Sequence, residues 1–318
     1  MNNTRQRGQS AKYHGLANKG ATCYLNSVLQ VLFMTKDFRE KITSYSHTPP
    51  PTGKKHIDSE LQNLFRDLEK RSADTCDITG KLSIINVFEQ HDAAEYYEKI
   101  LRFTRPEASE IFHGILINRT KCSACGKGPE IEAPFWSLPL PLVTNCNEYS
   151  VENGIRDFFC STKISGDNQM YCETCDDKRD ADLECEMKEY PQVLVLLLKR
   201  FEMIFEYNFW RKINCPVKIP EFLTFQDNQK YKLYAYVDHF GDLQSGHYIA
   251  TIKSQDYDGW WIFDDLNVQK SKYNHFQLDP TELSRHVYLL FYQKEEEVQG
   301  QGALVDQRRT AIFHKTIS

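Results

Sequence analysis

The stretch "GATCYLNS" (residues 20–27) places a single cysteine, Cys23, between a threonine and an apolar run at helical spacing. Thr22 is of the residue types that cap helices, which would put Cys23 in the first turn, near the positive end of the helix dipole. That setting favours thiolate over thiol, and the first-turn amides, which lack intrahelical partners, can hold a developing oxyanion. On this stretch alone a buried structural thiol is the better reading, since free cysteines commonly serve as small hydrophobes. A second constellation lies in "GHYIATIKSQDYDGWWIFDD" (246–265). His247 opens one strand pattern, and Asp264 and Asp265 close the next. An antiparallel turn at "SQDYDG" returns the second strand beside the first, so an imidazole and a carboxylate meet across seventeen positions. A histidine oriented by a carboxylate and facing a thiolate is the chemistry of a cysteine hydrolase, and taken singly the pair also suits a solvated ion pair.

Four other cysteines form two C-x2-C knuckles, "KCSACGKG" (121–128) and "MYCETCDD" (170–177). Cys122, Cys125, Cys172 and Cys175 together meet the tetrahedral four-thiolate requirement of a structural zinc. Such a closed site leaves no open coordination position, so the metal would serve folding and not catalysis. Neither knuckle opens a helix after a strand, as a thioredoxin-type redox pair would. A zinc ribbon for nucleic acid would need a basic surface, whereas "CETCDDKRDADLECE" is mostly acidic. Cys76, Cys146, Cys160, Cys185 and Cys215 lack partners at ligand spacing and are expected as thiols in the core or on the surface.

These residues need elements to position them. Leu25, Val28, Leu29, Leu32 and Phe33 have a helical period with one apolar face. Residues 45–56 read as a proline-rich loop, 58–71 as a helix capped by Asp58 or Ser59, and 90–102 as a third helix. After residue 110 strand patterns take over: "QVLVLLLKRF" (192–201) suits a strand covered on both faces, followed by "YKLYAYVDHF", "HYIATIK", "WWIFDD" and "HVYLLFYQ". Helices first and strands afterwards make an α+β fold. Residues 1–12 are expected to be a flexible segment and 294–318 a polar, disordered tail.

The chain has 318 residues, 41% of them hydrophobic and 26% charged, the balance of a soluble globular protein. No apolar run approaches the roughly 20 residues that span a membrane, and the first twenty residues lack the apolar core of a secretory signal. The formal charge of -5 argues against nucleic acid as a partner. Ten cysteines without an export signal point to a reducing compartment, cytoplasmic or nuclear.

Four blocks in order carry a resemblance to the ubiquitin-specific proteases. "GLANKGATCYLNSVLQVLF" (15–33) is similar to the family's cysteine box and "SGHYIATIK…GWWIFDD" (245–265) to its histidine box. Between them "QHDAAEYYEKIL" (90–101) resembles its Gln–Asp–Glu box and "PQVLVLLLKRF" (191–201) its leucine-rich strand. The similarity spans residues 13–293. It implies a papain-like cysteine protease fold with a helical thumb, a β-sheet palm and zinc-ribbon fingers within about residues 115–190. By the same resemblance Cys23 is the nucleophile, His247 the general base, Asp264 the third triad member with Asp265 sharing its role, and Asn18 the oxyanion donor.

Gln90, Asp92, Glu95, His239 and Tyr248 match substrate-binding positions. Asp92 and Glu95, three apart on one helix face, would pair with arginines near the substrate's tail. The loop "HFGDLQSG" departs from the family pattern by carrying Phe240 where a serine is usual. The implied activity is hydrolysis of the peptide or isopeptide bond after the terminal glycine of ubiquitin. It would be carried out by a monomer whose partners are ubiquitin and ubiquitinated proteins, with neither membrane nor nucleic acid. Two alternatives stand beside it: another modifier ending in Gly-Gly, and a catalytically silent ubiquitin-binding module.

Overall fold

The computed structural model describes residues 13–44, 56–143, 147–206, 209–243, 245–257, 259–273, 275–277 and 279–295. The expected flexible N-terminal segment, most of the proline-rich loop, Cys146 and nearly all of the expected tail lie outside them. The order of elements is helices first: Cys23–Met34, Lys36–Thr43, Asp58–Leu68, Cys76–Lys81, Ala93–Phe103 and Pro106–Ser109 precede the first strand, Gly114–Cys122.

The helix Cys23–Met34 departs from the expected one-sided pattern, because all of its residues are buried. It runs between the other helices and the main sheet, and its polar members have internal partners. Ser27 donates to the Tyr24 carbonyl at 3.0 Å, and Gln30 to the His14 carbonyl at 3.0 Å. A helix buried all round is what such a central position demands. The helix expected over 58–71 ends at Leu68, and neither expected side-chain cap forms. Asp58 lies inside the helix, almost fully buried, and accepts from the Arg105 guanidinium at 3.3 Å. The third helix begins at Ala93, with Asp92 as its cap.

An eight-stranded sheet forms the second half. Its order from one edge is Asn267–Lys270, Trp260–Asp264, His247–Lys253, Lys230–Phe240, Val287–Lys294, Val193–Lys199 and Leu138–Pro141, with Phe222–Thr224 pairing to Lys230–Phe240. The apolar strand alternates between two cores, as its composition requires. Val193 and Val195 join the core under the helices, and Leu194, Leu196 and Leu198 join the one on the opposite face. A separate four-stranded sheet, Glu130–Phe135, Gly114–Cys122, Ala181–Glu189 and Thr162–Ile164, forms an extension that carries the knuckles. No described helix is long and apolar enough to cross a membrane.

Immediately after the apolar strand, Arg200 is wholly buried and bridges elements by donating to backbone oxygens. Its acceptors are the carbonyls of Val287, Ile213 (2.9 Å), Cys215 (3.1 Å) and Ser284 (3.4 Å). Burial pulls its pKa down to about 10, yet it stays charged near neutrality. Arg200→Met leaves these carbonyls without their donor in the interior. It is expected to destabilise the fold by at least about 3 kcal/mol, a drop of roughly 6–12 °C in Tm measurable by scanning calorimetry. An unchanged Tm would show that Arg200 does not hold these segments together.

Candidate active site and metal centre

Thr22 occupies the N-cap position, but its side chain does not cap the helix. Its hydroxyl donates to the Asn18 side-chain oxygen at 3.2 Å and accepts from the Lys19 amide at 3.2 Å. The same Asn18 oxygen accepts from the Gly20 and Thr22 amides at 3.1 and 3.0 Å. The turn before the helix is thus wound around one carboxamide. The first intrahelical bonds run from the Leu25 and Asn26 amides to Thr22, so the Cys23 and Tyr24 amides lie ahead of the ladder. Cys23 is 1% exposed, and its thiol donates to the Gln90 side-chain oxygen at 3.8 Å.

The expected antiparallel pairing brings the second constellation together, with Ala250 opposite Phe263 and Lys253 opposite Trp260. His247 Nε2 then lies 2.6 Å from Asp264 Oδ1, which leaves Nδ1 for another partner. The imidazole pKa is held up to about 9, first by hydrogen bonding to Cys23 and then by Asp264, against partial desolvation. The two neighbouring carboxylates have different hydrogen-bond partners. Asp265, at φ +51°, keeps a carboxylate oxygen within 4.8 Å of a His247 ring nitrogen, but its hydrogen bonds go to the helical half. It accepts from Asn18 Nδ2 at 2.8 Å and from Asn26 Nδ2 at 2.7 Å.

Gln90 closes the arrangement by donating to the Gly246 carbonyl at 3.0 Å. Gly246 is required there, since a Cβ would stand 2.0 Å from His239 Nε2. His239 ends its strand almost fully buried, paired across the sheet with Tyr248 at a ring distance of 4.6 Å. Burial, followed by the charges of Lys212 and Arg200, pushes its pKa down to about 3 and keeps it neutral. The hydroxyl of Tyr248 is buried without a partner among the described residues. Phe240 pairs across the strands with His247 and stacks on His286 at 4.4 Å.

Asp92 and Glu95 stand together at the start of the third helix. Asp92 caps the helix, accepting from the Ala94 and Glu95 amides at 2.7 and 3.2 Å, and it also accepts from the Tyr288 hydroxyl. Glu95 is exposed. Asn26 and Tyr288 are site residues that the motifs did not single out. Asn26 had one visible signal, a polar side chain one turn beyond Cys23 in a mostly apolar helix; Tyr288 had none.

In the extension, the four knuckle cysteines offer sulfurs that all lie within 4.8 Å of one another. Cys122 and Cys175 are 4.0 Å apart, and Cys125 and Cys172 are 3.6 Å apart. A tetrahedral ion with metal–sulfur bonds of about 2.3 Å needs sulfurs about 3.8 Å apart, so the set fits zinc. Its protons are already unevenly held: the Cys125 and Ala124 amides pull Cys122 down to about 7, while bonds to neighbouring sulfurs push Cys175 up to about 12. Cys76, Cys160 and Cys185 are free. Cys215 differs from the expected thiol in being disulfide-bonded, a tertiary pairing that no sequence spacing announced.

A thiol at a helix start, an imidazole bonded through Nε2 to a carboxylate, and a helical half packed on a sheet define a papain-like cysteine hydrolase. The family model described as ubiquitin carboxyl-terminal hydrolase matches residues 14–292. The chain belongs to that family, the ubiquitin-specific proteases, which are deubiquitinating hydrolases of the cysteine type. Ubiquitin carboxyl-terminal hydrolase 12 of Salmo salar is 28% identical, covering 89% of this chain and 90% of that protein. Ubiquitin carboxyl-terminal hydrolase 46 of Caenorhabditis elegans is 26% identical over the same shares, 89% and 90%. Among solved structures, the SAGA Ubp8/Sgf11/Sus1/Sgf73 DUB module bound to ubiquitin aldehyde matches with a TM-score of 0.72 at 22% identity. That match covers 89% of this chain and 70% of the other, and is a likeness of fold.

Because Asp264 helps to raise the imidazole pKa, Asp264→Asn is expected to bring His247 well below about 9, read by NMR titration of the ring. In the parent protein the stabilising contribution of His247 is complete below the ordinary pKa of 6.5 and is lost as pH rises through about 9. An unmoved titration in the variant would show that the carboxylate does not act on the ring.

Proposed function

We propose that this chain cleaves the peptide or isopeptide bond after the terminal glycine of ubiquitin, with Cys23 as nucleophile. The observation that carries this reading is geometric: Cys23 at a helix start is bonded to Gln90, which also holds the Gly246 carbonyl beside His247, and the His247 imidazole lies 2.6 Å from Asp264. The Cys23 thiolate attacks the glycine carbonyl. The oxyanion is held by the amides at the helix start and by Asn18. The carboxamide of Asn18 is fixed through its oxygen and through one N–H to Asp265, leaving its second N–H as a donor. Protonated His247 gives its proton to the leaving amine, and water, activated by the same ring, releases the thioester. Asp264 orients the imidazole, while Asp265 positions Asn18 and the helix.

For substrate capture, Glu95 is the exposed carboxylate suited to an arginine, whereas Asp92 holds the helix start and Tyr288. Gln90, His239 and Tyr248 shape the narrow passage beside Gly246, which suits a tail ending in two glycines. The four knuckle cysteines hold a structural zinc, and residues 13–293 act as one catalytic domain working as a monomer. Ubiquitin and ubiquitinated proteins are the partners. The net charge of -5 disfavours nucleic acid. The metal-suited knuckle thiols favour a cytoplasmic or nuclear setting, against which the disulfide at Cys215 stands.

Full-length ubiquitin carrying a C-terminal electrophile is expected to form a covalent adduct with the parent protein and none with Cys23→Ala, while the variant still binds ubiquitin. An adduct that survives the substitution would remove Cys23 from the chemistry, and labelling by a different Gly-Gly modifier instead would move the substrate. For the ribbon, Cys172→Ser is expected to abolish zinc content measured by plasma mass spectrometry, and to lower Tm. Retained stability in metal-free protein would show that the ribbon folds without an ion.

A further inference from the structure

Lys212 belongs to neither triad, passage nor ribbon, yet its ammonium is placed inside the protein next to another cation. It ends the hairpin formed by Phe201–Ile204 and Phe209–Lys212, where it pairs with Phe201. Its Nζ donates to the His239 carbonyl at 2.6 Å and to the Gly241 carbonyl at 3.1 Å. Among the described residues no carboxylate lies within ion-pair distance of it; Asp238 and Asp242 act only from further away, and Arg200 repels it. His239 and His286 are the remaining titratable neighbours. Half-burying an ammonium beside a guanidinium is unfavourable, and it lowers the pKa to about 8. Such an arrangement persists where the donated bonds fix something in place.

The bonded carbonyls mark the start of the loop that leads to His247. The chain turns at Gly241, whose φ is +75°, and the Ser245 amide closes back on the Asp242 carbonyl at 3.2 Å. The far end of the loop is held by Gln90 at the Gly246 carbonyl. Phe201, opposite Lys212, packs on the His239 ring at 5.1 Å, directly under Gly246. The hairpin therefore grips the loop twice, through Lys212 from the start and through Phe201 from below.

We infer that Lys212 is a positioning residue for the hydrolysis proposed above, latching the 240–246 loop so that His247 is presented to Cys23. The inference rests on that reading of the site. Lys212 does not touch the reacting atoms; it acts through the backbone of the loop. A misplacement of the base by about 1 Å is enough to cost up to a hundredfold in rate.

The test compares the parent protein with Lys212→Met and Lys212→Gln on ubiquitin bearing a C-terminal fluorogenic amide. Affinity for ubiquitin is measured in the Cys23→Ala background. Lys212→Met is expected to lower kcat by about tenfold to a hundredfold while KM and ubiquitin affinity stay unchanged. Alkylation of Cys23 by iodoacetamide, followed on its peptide by mass spectrometry, is expected to slow in parallel. Lys212→Gln, which keeps a donor, should fall between the two, and it carries the test if Lys212→Met does not fold. An unchanged kcat would overturn the inference. So would a loss that only tracks a lower folded fraction, or a rise confined to KM. A parent protein that neither turns over ubiquitin nor reacts with its electrophile would instead overturn the proposed function itself.

Discussion

The site depends on one carboxylate that joins the two halves of the fold. Asp265 belongs to the sheet, at the end of the strand that carries Asp264, and it is bonded entirely to the helical half. Its side chain takes the amides of Asn18 and Asn26, and its carbonyl takes the Leu16 amide at 3.0 Å. Gly15 lets the two backbones come this close, since a Cβ there would meet the Asp265 carbonyl at 2.4 Å. Cys23 and His247 are 224 positions apart in the chain, so no local rule can align them. What aligns them is that Asp265 directly follows Asp264, the carboxylate bonded to His247, and Asn26 follows the thiol by one helical turn. Adjacency in sequence on each side converts one bond between halves into a registration of thiol and imidazole.

The two neighbouring aspartates are bonded to different halves while staying close to the same ring. The strand ends at Asp264, Asp265 follows with φ +51°, and both have a carboxylate oxygen within 4.8 Å of a His247 ring nitrogen. Asp264 is bonded to the imidazole at 2.6 Å, and Asp265 to Asn18 and Asn26. Asn18 is drawn in through the same bond, since its carboxamide is held by the turn at one end and by Asp265 at the other.

Legibility in the sequence follows the range of the interactions. The thiol at a helix start, the His–Asp pair across a tight antiparallel turn and the knuckles each rest on spacing within one or two elements, and all were readable. Family resemblance supplied the order of the blocks and the zinc-ribbon extension, which composition could not. The helix Val151–Phe158 was hidden among strand patterns because it is short and carries Gly154, and because its signal is a cap, Ser150, and not a long apolar period. Asp58 looked like a cap but is buried against Arg105, and Asp92, read beside Glu95 on one helix face, also caps that helix and accepts from Tyr288. In both cases the residue type was read correctly and its partner was chosen by tertiary packing. Tyr288 and Lys212 carried no local signal, since each acts on a segment far away in the chain.

Cys23 and His247 are mounted very differently. Cys23 sits on a helix with every residue buried, fixed by packing on all sides. His247 opens a strand inside the sheet, its side chain 38% exposed, at the end of a loop secured by a handful of polar bonds from Gln90 and Lys212. Dense packing resists displacement, whereas a few hydrogen bonds can be exchanged at modest cost. Any adjustment that the site makes to a substrate tail therefore falls on the histidine side. Gln90 lies where such an adjustment would be sensed, since its carboxamide touches the thiol with one end and the loop with the other. On the function proposed above, a tail passing beside Gly246 would compete for that carbonyl and that sulfur, which couples its entry to the placement of His247 through one side chain.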